Sequence, residues 1–162
     1  MHSFLFVRRR RAFEVTARVP SFESRSKYDL IALCDRLLVE YDPDAVEECV
    51  AFLEAETLSL WHGRARAVIG RRLKHCPLSP AQRDRVARAV LGRLVRGRFS
   101  EGFRDQLRLV LRVAPERAFD AARGCPPGAP PHARRFAAWV LAHEPPRHAE
   151  PVAAPDAGRG TG

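Results

Sequence analysis

Three arginines lie four residues apart in the middle of the sequence: Arg104, Arg108 and Arg112. On an α-helix, residues at i, i+4 and i+8 lie one above another on the same face. A guanidinium donates paired hydrogen bonds to carboxylates and phosphates. Three like charges at this spacing repel one another mildly, so helix stability alone does not favour it. The spacing therefore predicts an exposed cationic stripe at the centre of a binding surface.

Four more arginines occur in the preceding helical pattern: Arg85, Arg88, Arg93 and Arg96. The apolar period of that segment predicts that they lie opposite its buried face. We expect them to align with the stripe across adjacent helices, as cations do when they follow a phosphate backbone. Few aromatic residues accompany them, so we do not expect sequence-specific readout of single-stranded bases.

The sequence contains no motif of established catalytic chemistry. A Gly-rich phosphate loop, HExxH, GxSxG and a Walker lysine are all missing from it. Neighbouring carboxylates occur at Glu47 and Glu48, which an exposed helix face explains, and at Asp42 and Asp44, which helix capping explains. We expect a non-enzymatic protein with no catalytic residue, no cofactor and no small-molecule substrate.

The spacing of the cysteines excludes a CxxC motif or a zinc knuckle. The four cysteines are Cys34, Cys49, Cys76 and Cys125. The first two fall on apolar helix faces, as small core residues do in a reducing compartment. A zinc site would need His75 and Cys76 to meet Cys125 and His132. Adjacent residues at a helix end rarely both face one metal, so we predict no metal site.

Apolar residues at helical spacing predict about seven helices between residues 27 and 143, and hence an all-α fold. We expect stacked antiparallel helices, either as a short solenoid or as a bundle. Asp42-Pro43 and Ser79-Pro80 are helix starts, and Ser100 is expected to cap the fifth helix. The first helix is expected to bury one apolar face, formed by Leu30, Ile31, Cys34, Leu37, Leu38 and Tyr41.

Composition divides the chain into three parts. Residues 1–24 are expected to form a flexible basic arm that includes four consecutive arginines. Residues 25–144 form the helical repeat domain, and residues 145–162 a disordered tail rich in Pro, Ala and Gly. No apolar run is long enough to span a membrane, and the amino terminus lacks the order of a signal peptide, so we expect a cytoplasmic protein.

Charge is distributed unevenly along the chain. The formal net charge is +9, with 26 Arg and 2 Lys, a bias typical of GC-rich, bacterial-like composition. Residues 27–58 contain nine acidic and two basic residues, whereas residues 59–123 contain sixteen basic and five acidic residues. Such asymmetry indicates either a basic surface that meets an acidic partner or two halves that attract each other.

A seven-residue segment, Ala65 to Arg71, recurs 22 residues later as Ala87 to Arg93, with one substitution. Together with the amphipathic segments 84–92 and 132–141, this pattern resembles HEAT-like (armadillo-type) helical repeats. Their second helices often have a basic residue near the start, followed by Ala and Leu positions that face the core. The resemblance implies a curved helical stack that binds macromolecules on its concave face. It implies no catalytic residue.

The sequence therefore favours a helical-repeat interaction module or scaffold that binds a protein with an acidic surface. The alternative is a helical protein that contacts a nucleic-acid backbone through its arginine-rich face. These two functions differ in salt dependence, which is steep for backbone contacts and weak for apolar anchors.

Overall fold

The computed structural model describes residues 21–39 and 42–146. The predicted basic arm and disordered tail lie almost wholly outside these residues. Within the described residues there are seven α-helices, one 3-10 turn at Phe22–Ser24 and no strand, which confirms the predicted all-α fold. The helices are α1 (Lys27–Val39), α2 (Pro43–Glu54), α3 (Leu60–Leu73), α4 (Pro80–Arg96), α5 (Phe103–Val113), α6 (Pro115–Arg123) and α7 (Pro131–Leu141).

Helices α1 to α5 pack mainly on the helix two positions away in chain order, whereas α6 and α7 pack mainly on each other. The odd-numbered helices follow one another, α1 on α3, α3 on α5 and α5 on α7, while α2 packs on α4 and α4 on α6. Short turns join the two series into a double-layered stack, whose most extensive contact is between α3 and α5. This arrangement is that of a helical bundle or short solenoid.

Capping residues fix where several helices begin and end. The Oδ1 atom of Asp42 accepts hydrogen bonds from the backbone N–H groups of Asp44 and Ala45, both at 3.0 Å. Ser79 and Gln82 form the reciprocal capping box of α4, which ends at Gly97 with a φ of 68°. The prediction that Ser100 caps α5 is wrong, because α5 follows Gly102 and Ser100 makes no such bond.

The α5 helix lies at the centre of the stack. It contacts α3, α4, α6 and α7, and its apolar residues Phe103, Leu107, Leu109 and Val110 are at most 1% exposed. Because these residues lie on more than one side of the helix, only a narrow strip of its surface reaches solvent. That strip is where the three arginines of the predicted stripe lie.

The predicted apolar face of α1 is only partly correct. Leu30, Leu33 and Cys34 are buried, but Ile31 is 46% exposed and Leu38 is 63% exposed. The reason is position: α1 stands at one end of the described helices and packs mainly on α3 and α2, so part of its apolar surface has no neighbour within the described residues. Tyr41, assigned to the same face, lies outside the described residues.

The two copies of the seven-residue echo occupy different environments. Arg66 is buried, whereas its counterpart Arg88 is exposed, and Arg71 is exposed whereas its counterpart Arg93 is buried. The two segments therefore turn different faces towards the core, because α3 packs on α1, α2 and α5 while α4 packs on α2, α5, α6 and α7. The echo does not mark equivalent structural positions.

Candidate binding surfaces

The arginines of the α5 stripe are exposed, at the spacing that the sequence indicates. Arg104, Arg108 and Arg112 all reach solvent on one side of α5. The guanidinium carbons of Arg104 and Arg108 lie 5.9 and 5.8 Å from the centre of the Trp139 ring, which α7 contributes. These distances are those of cation–π contacts. The stripe therefore runs beside a partly exposed aromatic residue.

Arg108, in the middle of the stripe, is ion-paired to a carboxylate. Asp105, which is 9% exposed, forms ion pairs with Arg108 at 2.8 Å and with Arg71 of α3 at 2.5 Å. Arg104 and Arg112 have no carboxylate partner within the described part of the chain. The two ends of the stripe thus keep their charge available for a ligand.

The arginines of α4 do not extend this stripe as a group. Arg85 pairs with Glu47 and Glu54 of α2, and its pKa is raised by the hydrogen bond to Glu54 and then by that to Glu47. Arg96 forms an ion pair at 2.7 Å with Glu56, a residue that follows α2 in the chain. The two arginines therefore face the acidic α2 side of the molecule. This arrangement fits the alternative in which the acidic and basic parts of the chain attract each other.

The other two α4 arginines do not extend the stripe either. Arg88 pairs with Asp84 of its own helix at 2.6 Å and is exposed. Arg93, predicted to lie on the exposed face, is instead 6% exposed. The prediction is wrong because α4 contacts neighbours over most of its circumference, so that one position on its polar side is also covered.

The buried Arg93 meets a second buried arginine, which the sequence analysis did not single out. Arg66 of α3 donates to the carbonyl oxygens of Ala55 and Thr57, at 2.6 and 3.2 Å, and to Oγ1 of Thr57. Arg93 donates to the carbonyl oxygens of Leu53 and Ala55. Burial, and then the charge of Arg93, lower the pKa of Arg66 to about 10, so Arg66 remains charged at neutral pH. Together the two arginines anchor the loop between α2 and α3.

An apolar groove lies between α1 and α3. It has a volume of about 240 Å³, and its lining is Lys27, Leu30, Ile31, Cys34, Asp35, Trp61, Arg64, Ala65, Val68 and Arg72. Trp61 stands at its edge, 40% exposed, with the Lys27 ammonium 4.4 Å and the Arg64 guanidinium 5.2 Å from the ring centre. Within the described residues, all the large apolar side chains that are strongly exposed, apart from Val95, lie on α1 or close to the start of α3.

The chain shows no arrangement for metal chemistry in its described residues. His75, Cys76, Cys125 and His132 are not brought together as a group of three or more ligands. Cys34 and Cys49 are buried, and burial raises the pKa of both thiols, so neither is a reactive thiolate. Within residues 21–39 and 42–146, no helix combines the length and apolar character that crossing a bilayer requires.

No protein-family model, curated protein or solved structure matches this chain. The surfaces themselves are therefore the basis for assigning a function.

The groove could have been found in part from sequence. Tyr28, Ile31 and Leu38 give α1 more apolar surface than one helix face can bury, and Leu58, Leu60 and Trp61 form a second cluster of large apolar residues. Sequence alone does not show that α1 and α3 are neighbours, since α2 comes between them. That contact follows from the layered packing.

Proposed function

We propose that this protein is a non-enzymatic helical module that binds another protein through the groove between α1 and α3. The proposal depends chiefly on one observation: exposed large apolar side chains are concentrated on α1 and near the start of α3, and two of them, Ile31 and Trp61, line that groove. Exposed apolar clusters rimmed by polar residues are typical of protein-binding sites. All four cysteines are free, which fits a reducing compartment such as the cytoplasm.

The dimensions and charge of the groove favour one kind of occupant. A volume of about 240 Å³ is smaller than the pockets that hold drug-sized ligands, but it accepts one or two apolar side chains. Lys27, Arg64 and Arg72 line it against a single carboxylate, Asp35; Arg72 pairs with Asp35 and Arg64 with Glu101, which leaves the Lys27 ammonium without an ion pair within the described residues. We therefore assign it to an amphipathic helix of a partner protein, with apolar anchors and acidic flanking residues.

Synthetic peptides test this assignment directly. We expect a helical peptide with leucine anchors and glutamate flanks to bind the full chain, and a peptide with the same leucines and lysine flanks to bind more weakly. Ile31→Glu should reduce affinity for the acidic peptide about tenfold or more, because it puts a charge into the apolar contact. Titration calorimetry measures both peptides. Val95→Glu is the matched control, since Val95 is 73% exposed on α4 and does not line the groove.

Other results would contradict the proposal. Equal loss of peptide affinity in Ile31→Glu and Val95→Glu would show that net charge, not the groove, determines binding. A dimer of the parent protein that Ile31→Glu dissociates, seen by light scattering, would show that a second copy covers the groove. If Ile31→Glu lowers the melting temperature strongly and the parent binds no peptide, the apolar surface stabilises the fold and does not bind a partner.

The α5 stripe favours a second candidate function, contact with a nucleic-acid backbone. Its specific support is that Arg104 and Arg112 are exposed, have no carboxylate partner among the described residues and flank an arginine in contact with Trp139. Affinity capture from the host, with and without nuclease, distinguishes the two functions. Capture that nuclease abolishes, and that reversal of the three stripe charges to glutamate also abolishes, would favour nucleic acid over the groove.

A further inference from the structure

The exposed cations that lack an ion pair are not spread evenly over the molecule. Most arginines of the described residues have a carboxylate within 4.0 Å. The exposed or partly exposed cations outside this network, in the part of the chain that the structure describes, are Lys27, Lys74, Arg83, Arg104, Arg112, Arg134 and Arg135. Three of these seven line one cleft.

The cleft is formed where three helices meet. Lys74 follows the end of α3, Arg83 lies in the first turns of α4, and Arg112 lies in the last turn of α5. His75 and the apolar residues of the connecting loop complete the lining, together with Val113. The volume is about 580 Å³, and no aspartate or glutamate of residues 21–39 or 42–146 lines it.

One of the three cations is held in place by the backbone. Nε of Arg83 donates to the carbonyl oxygen of Leu78 at 3.0 Å, and both residues line the cleft. This bond fixes the plane of the guanidinium, while its two terminal nitrogens have no acceptor within the described residues. A guanidinium held in this way is prepared for paired hydrogen bonds to an anion.

Local helix electrostatics explain only part of this cluster. Lys74 and Arg112 lie at the carboxyl ends of α3 and α5, where the helix dipole favours cations. Arg83 lies near the amino end of α4, where the dipole disfavours a cation. Mutual repulsion of the three charges also opposes the arrangement. An anionic ligand would remove both costs.

We propose that this cleft binds the pyrophosphate or triphosphate group of a small phosphorylated ligand. Three cations match the several negative charges of such a group, and the volume exceeds what a single phosphate fills. The cleft shares no lining residue with the groove between α1 and α3, so this site is independent of the proposed protein-binding function.

Titration of the full chain with pyrophosphate tests the site, with inorganic phosphate and an oligonucleotide lacking terminal phosphates as parallel probes. We expect saturable binding of pyrophosphate that is tighter than binding of phosphate. The double substitution Lys74→Gln with Arg112→Gln should weaken pyrophosphate binding about tenfold or more, because two charge-assisted hydrogen bonds are lost. The matched control is Arg104→Gln with Arg134→Gln, which removes two unpaired cations outside the cleft.

The control pair should bind pyrophosphate within about twofold of the parent, since neither residue lines the cleft. Equal weakening in both double variants would overturn the site, because it would show attraction to net charge alone. Absence of saturable pyrophosphate binding, with oligonucleotide binding lost in both variants, would also overturn it and assign these cations to a nucleic-acid surface. All four positions are exposed or partly exposed, and unchanged melting temperatures would verify the fold.

Discussion

A guanidinium taken out of water needs new acceptors for its N–H groups, and the terminal nitrogens of Arg66 and Arg93 find theirs at the end of α2 and in the loop that follows, whereas Nε of Arg66 has no acceptor within the described residues. This loop has no helical hydrogen bonds of its own, so its carbonyl oxygens also need donors. The terminal guanidinium nitrogens and these carbonyl oxygens satisfy each other. In an arginine-rich chain, some guanidinium groups therefore contribute to the folded structure rather than to a binding surface.

Replacement of Arg66 by methionine should lower the free energy of unfolding by about 1–3 kcal/mol, because it leaves the carbonyl and hydroxyl oxygens of Thr57 without their donor and removes one of the two donors to the Ala55 carbonyl. Arg88→Met is the control, at the corresponding position of the sequence echo but 67% exposed at its side chain. It should change stability by less than about 0.5 kcal/mol. Urea unfolding measures both variants, and equal effects would contradict the loop-anchoring role of Arg66.

At the same scale, the sequence predicted the exposure of Arg104, Arg108 and Arg112 but not the burial of Arg93. The stripe was predictable because apolar residues on both its sides leave α5 one direction that faces solvent. The burial of Arg93 was not, because it depends on the loop after α2, which lies far away in sequence.

Helices α3 and α5 approach each other closely at Gly70. A Cβ atom at this position would lie 2.9 Å from the carbonyl oxygen of Asp105 and 3.0 Å from its carbonyl carbon. These are backbone atoms in the first turn of α5, so they cannot move aside without moving the helix. The absence of a side chain at Gly70 is therefore a condition of the most extensive helix contact in the described residues.

Gly70→Ala should consequently destabilise the protein by about 1–3 kcal/mol, since overpacking outweighs the better helix propensity of alanine. The echo supplies a control at Gly92, where a Cβ would meet only the end of the flexible Arg96 side chain, at 3.1 Å. Gly92→Ala should be neutral or should stabilise by up to about 1 kcal/mol. Thermal melts of the two variants give the comparison. Destabilisation by Gly92→Ala, or none by Gly70→Ala, would contradict this packing of α3 on α5.

Helix bounds and caps were largely predictable because local sequence determines them, as Asp42 and Ser79 illustrate. The exposed part of α1 was not, since Ile31 and Leu38 fit a buried helix face equally well in sequence. Which apolar side chains remain uncovered is decided by where a helix stands in the stack. The candidate groove exists because α1 is at the end of the stack that the described helices form.

Over the molecule as a whole, the acidic early part of the chain folds against the basic middle part. Ion pairs join Arg85 to Glu47 and Glu54, Arg96 and Arg98 to Glu56, and Arg72 to Asp35. Much of the basic charge is therefore used inside the molecule. Most of the exposed cations without an ion pair in the described part of the chain lie near the two ends of α5, so an anion is expected to bind there.

These ion pairs predict loss of stability in acid. A hydrogen bond from Gln82 and the Arg85 guanidinium lower the pKa of Glu47, against the opposing effect of burial, and the cations Arg93, Arg96 and Arg98 outweigh burial to lower the pKa of Glu56. A carboxyl whose pKa is lower in the folded protein binds protons more readily when unfolded. Its contribution is therefore complete above its ordinary value of 4.5 and is lost as pH falls through the folded value.

Urea unfolding between about pH 6 and pH 3 should therefore show a free energy of unfolding that falls steadily below about pH 5. Glu47→Gln should make this dependence shallower, because the variant has one fewer carboxyl with a lowered pKa. Glu23→Gln should leave it unchanged, since Glu23 is exposed and makes no ion pair within the described residues. High salt at neutral pH should weaken the parent more than Glu47→Gln, because salt screens the pair with Arg85. A pH dependence identical in all three proteins would mean that the contacts between α2 and α4 are held by apolar packing alone.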